Sequence, residues 1–135
     1  MARANNPETR AVEALPRWVR LTIEQDDSFR FEAIGLLDQA RARLNALAAS
    51  PPADGALAAA AAVTPLHLAN KALLAARGYR SLSTRGTEEL LGICYGKNLP
   101  EGAIERMKSV IGLKLQGASA IEAVGSYIES ATRLL

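Results

Sequence analysis

The sequence predicts an all-α fold, an antiparallel helical bundle of four to six helices. Hydrophobic residues make up 49% of the 135 residues and aromatic residues only 4%, so the apolar content is mostly alanine and leucine, which favour helices over strands. Apolar residues recur at spacings of three and four, and no segment alternates convincingly with a period of two. The length suits one core. We therefore expect a disordered N-terminus at 1–6 and a single helical domain over 7–135.

Two helices are predicted in the first third of the chain. Asn6-Pro7-Glu8 has the N-cap, the proline and the acid of a helix start, and this helix is expected to reach about Gln25. Pro16 should kink or interrupt it. A second helix is predicted over about 28–49, and it ends before the loop at 50–55, which is rich in serine, proline and glycine.

The third predicted helix runs from near Asp54 to Arg77 and organises the rest of the chain. Pro65 leaves two interpretations open. Either Thr64-Pro65 begins a fresh helix, or one continuous helix is kinked at Pro65 at a cost of about 3 kcal/mol. The continuous helix is favoured. Gly78 then lies where a C-cap glycine belongs.

Three more helices are predicted after a turn at 79–84. The fourth covers roughly 85–95 and is capped by Ser83 or Thr84. The fifth opens near Asn98-Leu99-Pro100-Glu101, and the last begins at Ser119-Ala120-Ile121-Glu122, which matches a capping box.

Composition and charge exclude several classes of function. The net charge of +2 is well below that of a dedicated nucleic-acid binder, although it is compatible with a local phosphate-binding patch. One cysteine can form neither an internal disulfide nor a cysteine-based metal site. We expect a cytoplasmic protein with no membrane span, because the sequence has no uncharged apolar run of 18 residues and its N-terminus lacks the apolar core of a signal peptide. Since alanine and leucine supply few large anchors, a homodimer is expected to complete the buried surface.

Few residues in the chain suit catalysis. A metal site needs three or four convergent ligands, and none is expected with one histidine, His67, and one cysteine, Cys94. A Cys94–His67 nucleophile and base is the alternative to two ordinary helix-face residues, and the second interpretation is favoured because neither residue lies on a strained turn. We therefore assign no catalytic residue and no cofactor.

The strongest candidate site is a basic segment after the third helix. Guanidinium groups, hydroxyls and a helix N-terminus can together bind a phosphate. The alternative is a solvated turn in which Arg77 favours a helix C-terminus and Glu88 and Glu89 reduce the positive field. The basic and hydroxyl residues of this segment lie around Gly86 and are Arg77, Arg80, Arg85, Lys97, Ser81, Ser83, Thr84 and Thr87.

Two residues of the third helix are candidates for an interface. Asn70 lies close to the apolar face, where it either hydrogen-bonds across helices, fixing their register or the pairing of subunits, or stands at the border of that face. His67, one turn earlier, is assigned a packing or interface role rather than a catalytic one.

The segment HLANKALLAARGYRSLSTRGTEELLG, at 67–92, resembles the middle of HEPN domains, named for higher eukaryote and prokaryote nucleotide binding. The counterparts of the family pattern are the helix end at 71–79, the turn element Thr84-Arg85-Gly86 and the pair Leu90-Leu91. The segment 31–48 is similar to the first helix of the family, and the similarity covers about 28–134. The resemblance implies a bundle of four or five helices that usually dimerises.

The resemblance also implies what such domains do. Many members are RNA-cleaving toxins or partners of a minimal nucleotidyltransferase, and others are non-catalytic. Catalytic members carry an R-x(4–6)-H motif in a late helix, whereas the corresponding segment here, 108–119, has Lys114 near the place of the arginine and no histidine after it. A lysine alone can stabilise phosphate charge but cannot shuttle the proton, so RNA cleavage of the family type is not expected.

These observations lead to one preferred function and two alternatives. The preferred function is a non-catalytic HEPN-like interaction or assembly module, a homodimer that partners a nucleotidyltransferase-type protein in a toxin–antitoxin-like system. The first alternative is a divergent HEPN ribonuclease toxin or a binder of nucleotide or RNA phosphates, using Arg77, Arg80, Thr84, Arg85 and Lys114. The second is a helical adaptor unrelated to HEPN domains.

Overall fold

A computed structural model describes residues 6–135 and confirms the mostly α-helical fold. Of the predicted disordered segment, residues 1–5 lie outside the described part of the chain. The described elements are α1 (Pro7–Glu13), α2 (Arg17–Arg20), β1 (Ile23–Gln25), a 3₁₀ helix (Asp27–Glu32), α3 (Ala33–Ala49), α4 (Gly55–Ala76), β2 (Tyr79–Ser81), α5 (Thr84–Tyr95), α6 (Ala103–Ile111) and α7 (Gly117–Leu134).

Helix α4 is the centre of the fold and packs against α3, α5, α6 and α7. It is continuous through Pro65, as predicted. Pro65 donates no backbone hydrogen bond to Ala61, but Ala61 is exposed, so solvent can satisfy its carbonyl. By length and composition, α4 is the one helix among residues 6–135 that could cross a membrane, a test that the mostly buried core helix of a soluble protein also passes.

Helices α3 and α7 cover α4 on neighbouring sides. The connection at 50–54 is short, so α3 runs antiparallel to α4. Helix α7 begins at Gly117, two residues before the predicted capping box at Ser119, which therefore lies inside the helix. The helix can begin there because Gly117 packs tightly against the start of α4, where a side chain would collide with Gly55.

Pro16 divides the predicted helix at 7–25 into α1 and α2. The last three residues of that predicted helix form strand β1 instead. Asn6 caps α1 as predicted, since its side chain accepts a hydrogen bond of 2.8 Å from the backbone N–H of Glu8. The predicted second helix begins as a 3₁₀ helix, which Asp26 caps through a 2.9 Å bond from the N–H of Ser28. Residues 6–135 thus hold seven α-helices rather than four to six, because the first predicted helix is split into two.

Strands β1 and β2 form a small antiparallel sheet that the sequence pattern did not reveal. Ile23 pairs with Ser81 and Gln25 with Tyr79. Three residues are too few to show a period of two, and the two strands are far apart in the sequence. Gly78 ends α4 as predicted, and its φ of +81° turns the chain into β2.

Candidate functional site

A groove crosses the surface of α4 beside the turn between β2 and α5, where the sequence analysis placed its candidate site. Two adjoining cavities of about 390 and 240 Å³ form it, and they share His67, Ser81 and Thr87. We call it the α4–α5 groove. Its polar lining residues are Thr64, His67, Asn70, Lys71, Arg80, Ser81, Ser83, Thr84, Thr87 and Glu88.

Hydroxyl groups hold the turn that forms one wall of the groove. Ser83 caps α5 by accepting a 2.9 Å hydrogen bond from the N–H of Gly86, and its hydroxyl lies 2.8 Å from that of Thr22. Ser81 donates a 2.8 Å bond to the carbonyl of Ser83. A Cβ on Gly86 would lie 2.6 Å from the Ser81 hydroxyl, so the turn requires glycine there. These hydroxyls therefore fix the wall, and Thr84 is exposed beside them.

Arg77 lies outside the groove and joins three elements. Its guanidinium forms a 2.6 Å ion pair with Glu8, donates a 3.2 Å bond to the carbonyl of Cys94 and lies 5.0 Å from the centre of the Tyr95 ring. It thus ties α1 to the end of α5. This arrangement favours a structural role for Arg77 over phosphate binding.

The other predicted phosphate ligands have different surroundings. Arg80 lines the groove, but its guanidinium pairs with Glu32 at 3.2 Å and stacks 4.0 Å from the centre of the Phe29 ring. Arg85 pairs with Glu89 at 3.0 Å. Lys114 is exposed on the connection between α6 and α7 and does not line the groove. Arg80, Thr84 and His67 therefore lie together along the groove. The charges of Arg80 and Arg85 are neutralised by Glu32 and Glu89.

Asn70 contributes to one wall of the groove but is only 1% exposed. Its carbonyl oxygen accepts a 2.6 Å bond from the hydroxyl of Tyr127, and its amide donates to the sulfur of Met107 at 3.0 Å. These bonds join α4 to α7 and α6 within one chain. The sequence left open whether Asn70 hydrogen-bonds across helices or stands at the border of the apolar face. In the structure it hydrogen-bonds across helices.

Lys71 is a basic groove residue that the predicted site did not include. It is exposed, lies one turn beyond His67 and forms no ion pair with any residue between 6 and 135. The sequence feature that could have identified Lys71 is its spacing from Thr64 and His67. This spacing places three polar residues on one stripe of an otherwise apolar helix.

Cys94 is buried beside Arg77 and Glu8 rather than in the groove. Burial, the largest cause, and Glu8 together raise the pKa of its thiol to about 12, and Arg77 opposes the shift. The thiol is therefore protonated at neutral pH, whereas only a thiolate is a strong nucleophile. His67 lines the groove, so the two residues face different surroundings.

We expect Cys94 in the folded protein to react with a thiol reagent far more slowly than an exposed cysteine. A pKa raised from 9.0 to about 12 leaves the thiol protonated at pH 8, and it lowers the thiolate fraction by a factor on the order of a thousand. The measurement is the rate of disulfide exchange with an aromatic disulfide at pH 8. Denatured protein is the control. A folded-state rate within tenfold of the denatured rate would contradict the burial of this thiol.

Comparisons with protein-family models, curated proteins and solved structures gave no significant match. The resemblance to HEPN domains stays a prediction based on the residues at 28–134. Function is therefore inferred from the geometry and charge of the α4–α5 groove and of the surface beside it.

Proposed function

We propose that this protein is a non-catalytic HEPN-like interaction module whose first partner is a second copy of itself. The observation that carries the proposal is a group of three large apolar side chains exposed beside the groove. Leu21 is 73% exposed, Leu82 68% and Trp18 64%. Soluble monomers rarely expose contiguous apolar patches, and tryptophan is enriched at the centres of protein interfaces.

The three residues are neighbours along the backbone of the fold, and we call them the apolar rim. The N–H of Leu82 donates a 2.8 Å bond to the carbonyl of Thr22, which places the backbone of Leu82 beside the residue that follows Leu21. Trp18 lies one helical turn before Leu21. Leu82 also lines the α4–α5 groove, so the rim continues into it.

Charge around the rim favours a copy of this chain over a polyanion. Nucleic-acid binding needs unpaired positive charge, but Arg80 and Arg85 are paired with Glu32 and Glu89. A two-fold interface brings the same patch of both subunits together, and a patch that carries both signs can complement itself. The surface beside the apolar rim carries both signs, with the Arg80–Glu32 and Arg85–Glu89 pairs next to Lys71, which is unpaired among residues 6–135, so the homodimer is preferred to the RNA or nucleotide alternative.

The resemblance to HEPN domains supports both halves of the proposal. Dimerisation is usual in that family, and members that lack the R-x(4–6)-H motif include non-catalytic ones. The nucleotidyltransferase-type protein is then the second partner that the family resemblance implies, in a cytoplasmic, toxin–antitoxin-like pair.

Replacing Leu82 with aspartate should weaken self-association by about thirtyfold or more, because a charge would be buried at the centre of the interface. Folding should be unaffected, since Leu82 is 68% exposed. Sedimentation equilibrium over a range of concentrations gives the dissociation constants of wild type and variant. Circular dichroism checks the fold.

The matched control is Leu57→Asp, which alters a leucine that is 62% exposed near the start of α4. It lies ten residues before His67, about 15 Å along the helix from the groove. Wild-type protein that stays monomeric at millimolar concentration would overturn the proposal, as would equal effects of the two substitutions. Salt-dependent binding of an RNA oligonucleotide by a monomer would instead support the phosphate-binding alternative.

A further inference from the structure

A second concave site lies between α6 and α7, with α4 below it. The cavity has a volume of about 290 Å³, at the lower end of the range for small-molecule sites. Its floor is apolar and includes Leu66, Met107 and Val124, each no more than 2% exposed. We call it the α6–α7 cavity. It shares only the central helix with the α4–α5 groove.

Ser130 is a polar member of the cavity wall. It is 7% exposed, and its hydroxyl forms no hydrogen bond with any residue in the range 6–135. Every enclosed side-chain oxygen among residues 6–135 has a hydrogen-bond partner, so the unbonded hydroxyl of Ser130 is open to the cavity rather than enclosed. Within the described chain the Ser130 hydroxyl makes no such bond, so it is available to a molecule in the cavity.

Arg106 lies at the mouth of the cavity. It lines both the α6–α7 cavity and an adjoining one of about 480 Å³, and Ser126 lies beside it in both. Unlike Arg41, Arg77, Arg80 and Arg85, it forms no ion pair with the residues at 6–135. Glu101 and Glu122 line the two cavities, but neither is within ion-pair distance of it.

We propose that the α6–α7 cavity binds a small monocarboxylate with an apolar body. Arg106 binds the carboxylate, because the planar guanidinium matches two carboxylate oxygens. The hydroxyl of Ser130 bonds to a polar atom of the ligand, and the apolar body packs on Leu66, Met107 and Val124. Glu101 and Glu122 repel any anion, and this repulsion grows with the charge of the ligand, so a monocarboxylate is preferred to a dicarboxylate or a phosphate.

The test uses the full chain and two probes of the same shape, phenylacetate and the uncharged phenethyl alcohol. Backbone amide NMR shifts should move in α6 and α7 on titration with phenylacetate. Arg106→Gln should weaken phenylacetate binding by about tenfold or more and leave the weaker binding of the alcohol unchanged. Arg43→Gln is the matched control, since Arg43 is exposed on α3 and does not line the cavity.

Three results would overturn the proposal. They are no shift in α6 or α7 at millimolar phenylacetate, equal affinity for the acid and the alcohol, and equal losses in Arg106→Gln and Arg43→Gln. Ala123→Leu, which fills the cavity from its wall, should abolish binding of both probes. If that variant does not fold, the comparison of Arg106→Gln with Arg43→Gln still tests the proposal. Both residues are exposed, so neither substitution should disturb folding.

Discussion

Replacing Asn70 with alanine should lower the free energy of unfolding by about 3 kcal/mol or more, one of the two largest effects expected in this protein. Asn70 is 1% exposed and bonds to both Tyr127 and Met107. Its loss leaves the buried hydroxyl of Tyr127 without a partner, at a cost of about 1–3 kcal/mol, and opens a cavity as well. Urea unfolding followed by circular dichroism measures the change.

A double-mutant cycle separates the hydrogen bond from packing. The single variants are Tyr127→Phe, which leaves the Asn70 carbonyl oxygen unpaired, and Asn70→Leu, which leaves the Tyr127 hydroxyl unpaired, whereas the double variant removes both partners together. The double variant should therefore lose less stability than the sum of the single ones, by about 1 kcal/mol. Additive losses, or a loss below about 1 kcal/mol in Asn70→Ala, would contradict the network.

The cycle also distinguishes the two roles that the sequence allowed for Asn70. Hydrogen bonds within one chain make the loss of stability independent of protein concentration. If Asn70 paired subunits instead, the loss would vary with protein concentration, because association contributes to stability by mass action. Repeating the urea titrations over a wide concentration range gives the answer.

Gly117→Ala should destabilise the protein by about 1–3 kcal/mol, although alanine is the better helix former. A Cβ on Gly117 would lie 2.8 Å from the Cβ of Ala58 and 2.8 Å from the carbonyl oxygen of Gly55. Both atoms belong to α4, and a backbone oxygen of the central helix cannot yield as a flexible side chain can. The start of α7 must therefore move away from α4. Thermal and urea unfolding measure the cost.

Gly125→Ala in the same helix is the matched control. The nearest heavy atom to the added methyl group would be Cδ2 of Leu44 at 3.6 Å, which is ordinary van der Waals contact. This substitution should stabilise the protein by about 0.5–1 kcal/mol, because alanine loses less backbone entropy in a helix interior. A neutral or stabilising Gly117→Ala would show that α7 and α4 do not approach as closely as the structure indicates.

The candidate site was predictable in position but not in chemistry. Sequence proximity grouped Arg77, Arg80 and Arg85, yet their acid partners include residues far along the chain. Glu8 is 69 residues from Arg77, and Glu32 is 48 residues from Arg80. Glu88 and Glu89 are acids close to these arginines in the sequence, and of these two Glu89 pairs with Arg85. Net positive charge in a short segment therefore did not indicate free positive charge at its surface.

The sequence by itself determined the helical class, the continuous central helix and several helix ends. Apolar spacing, the Asn6 cap and the glycine after α4 act within about one helical turn, so they are visible in the order of residues. Only the tertiary structure decided the pairing of β1 with β2, the partners of Asn70 and the start of α7 at Gly117. Each of these depends on contact between segments that are distant in the chain, and local periodicity carries no information about which segments meet.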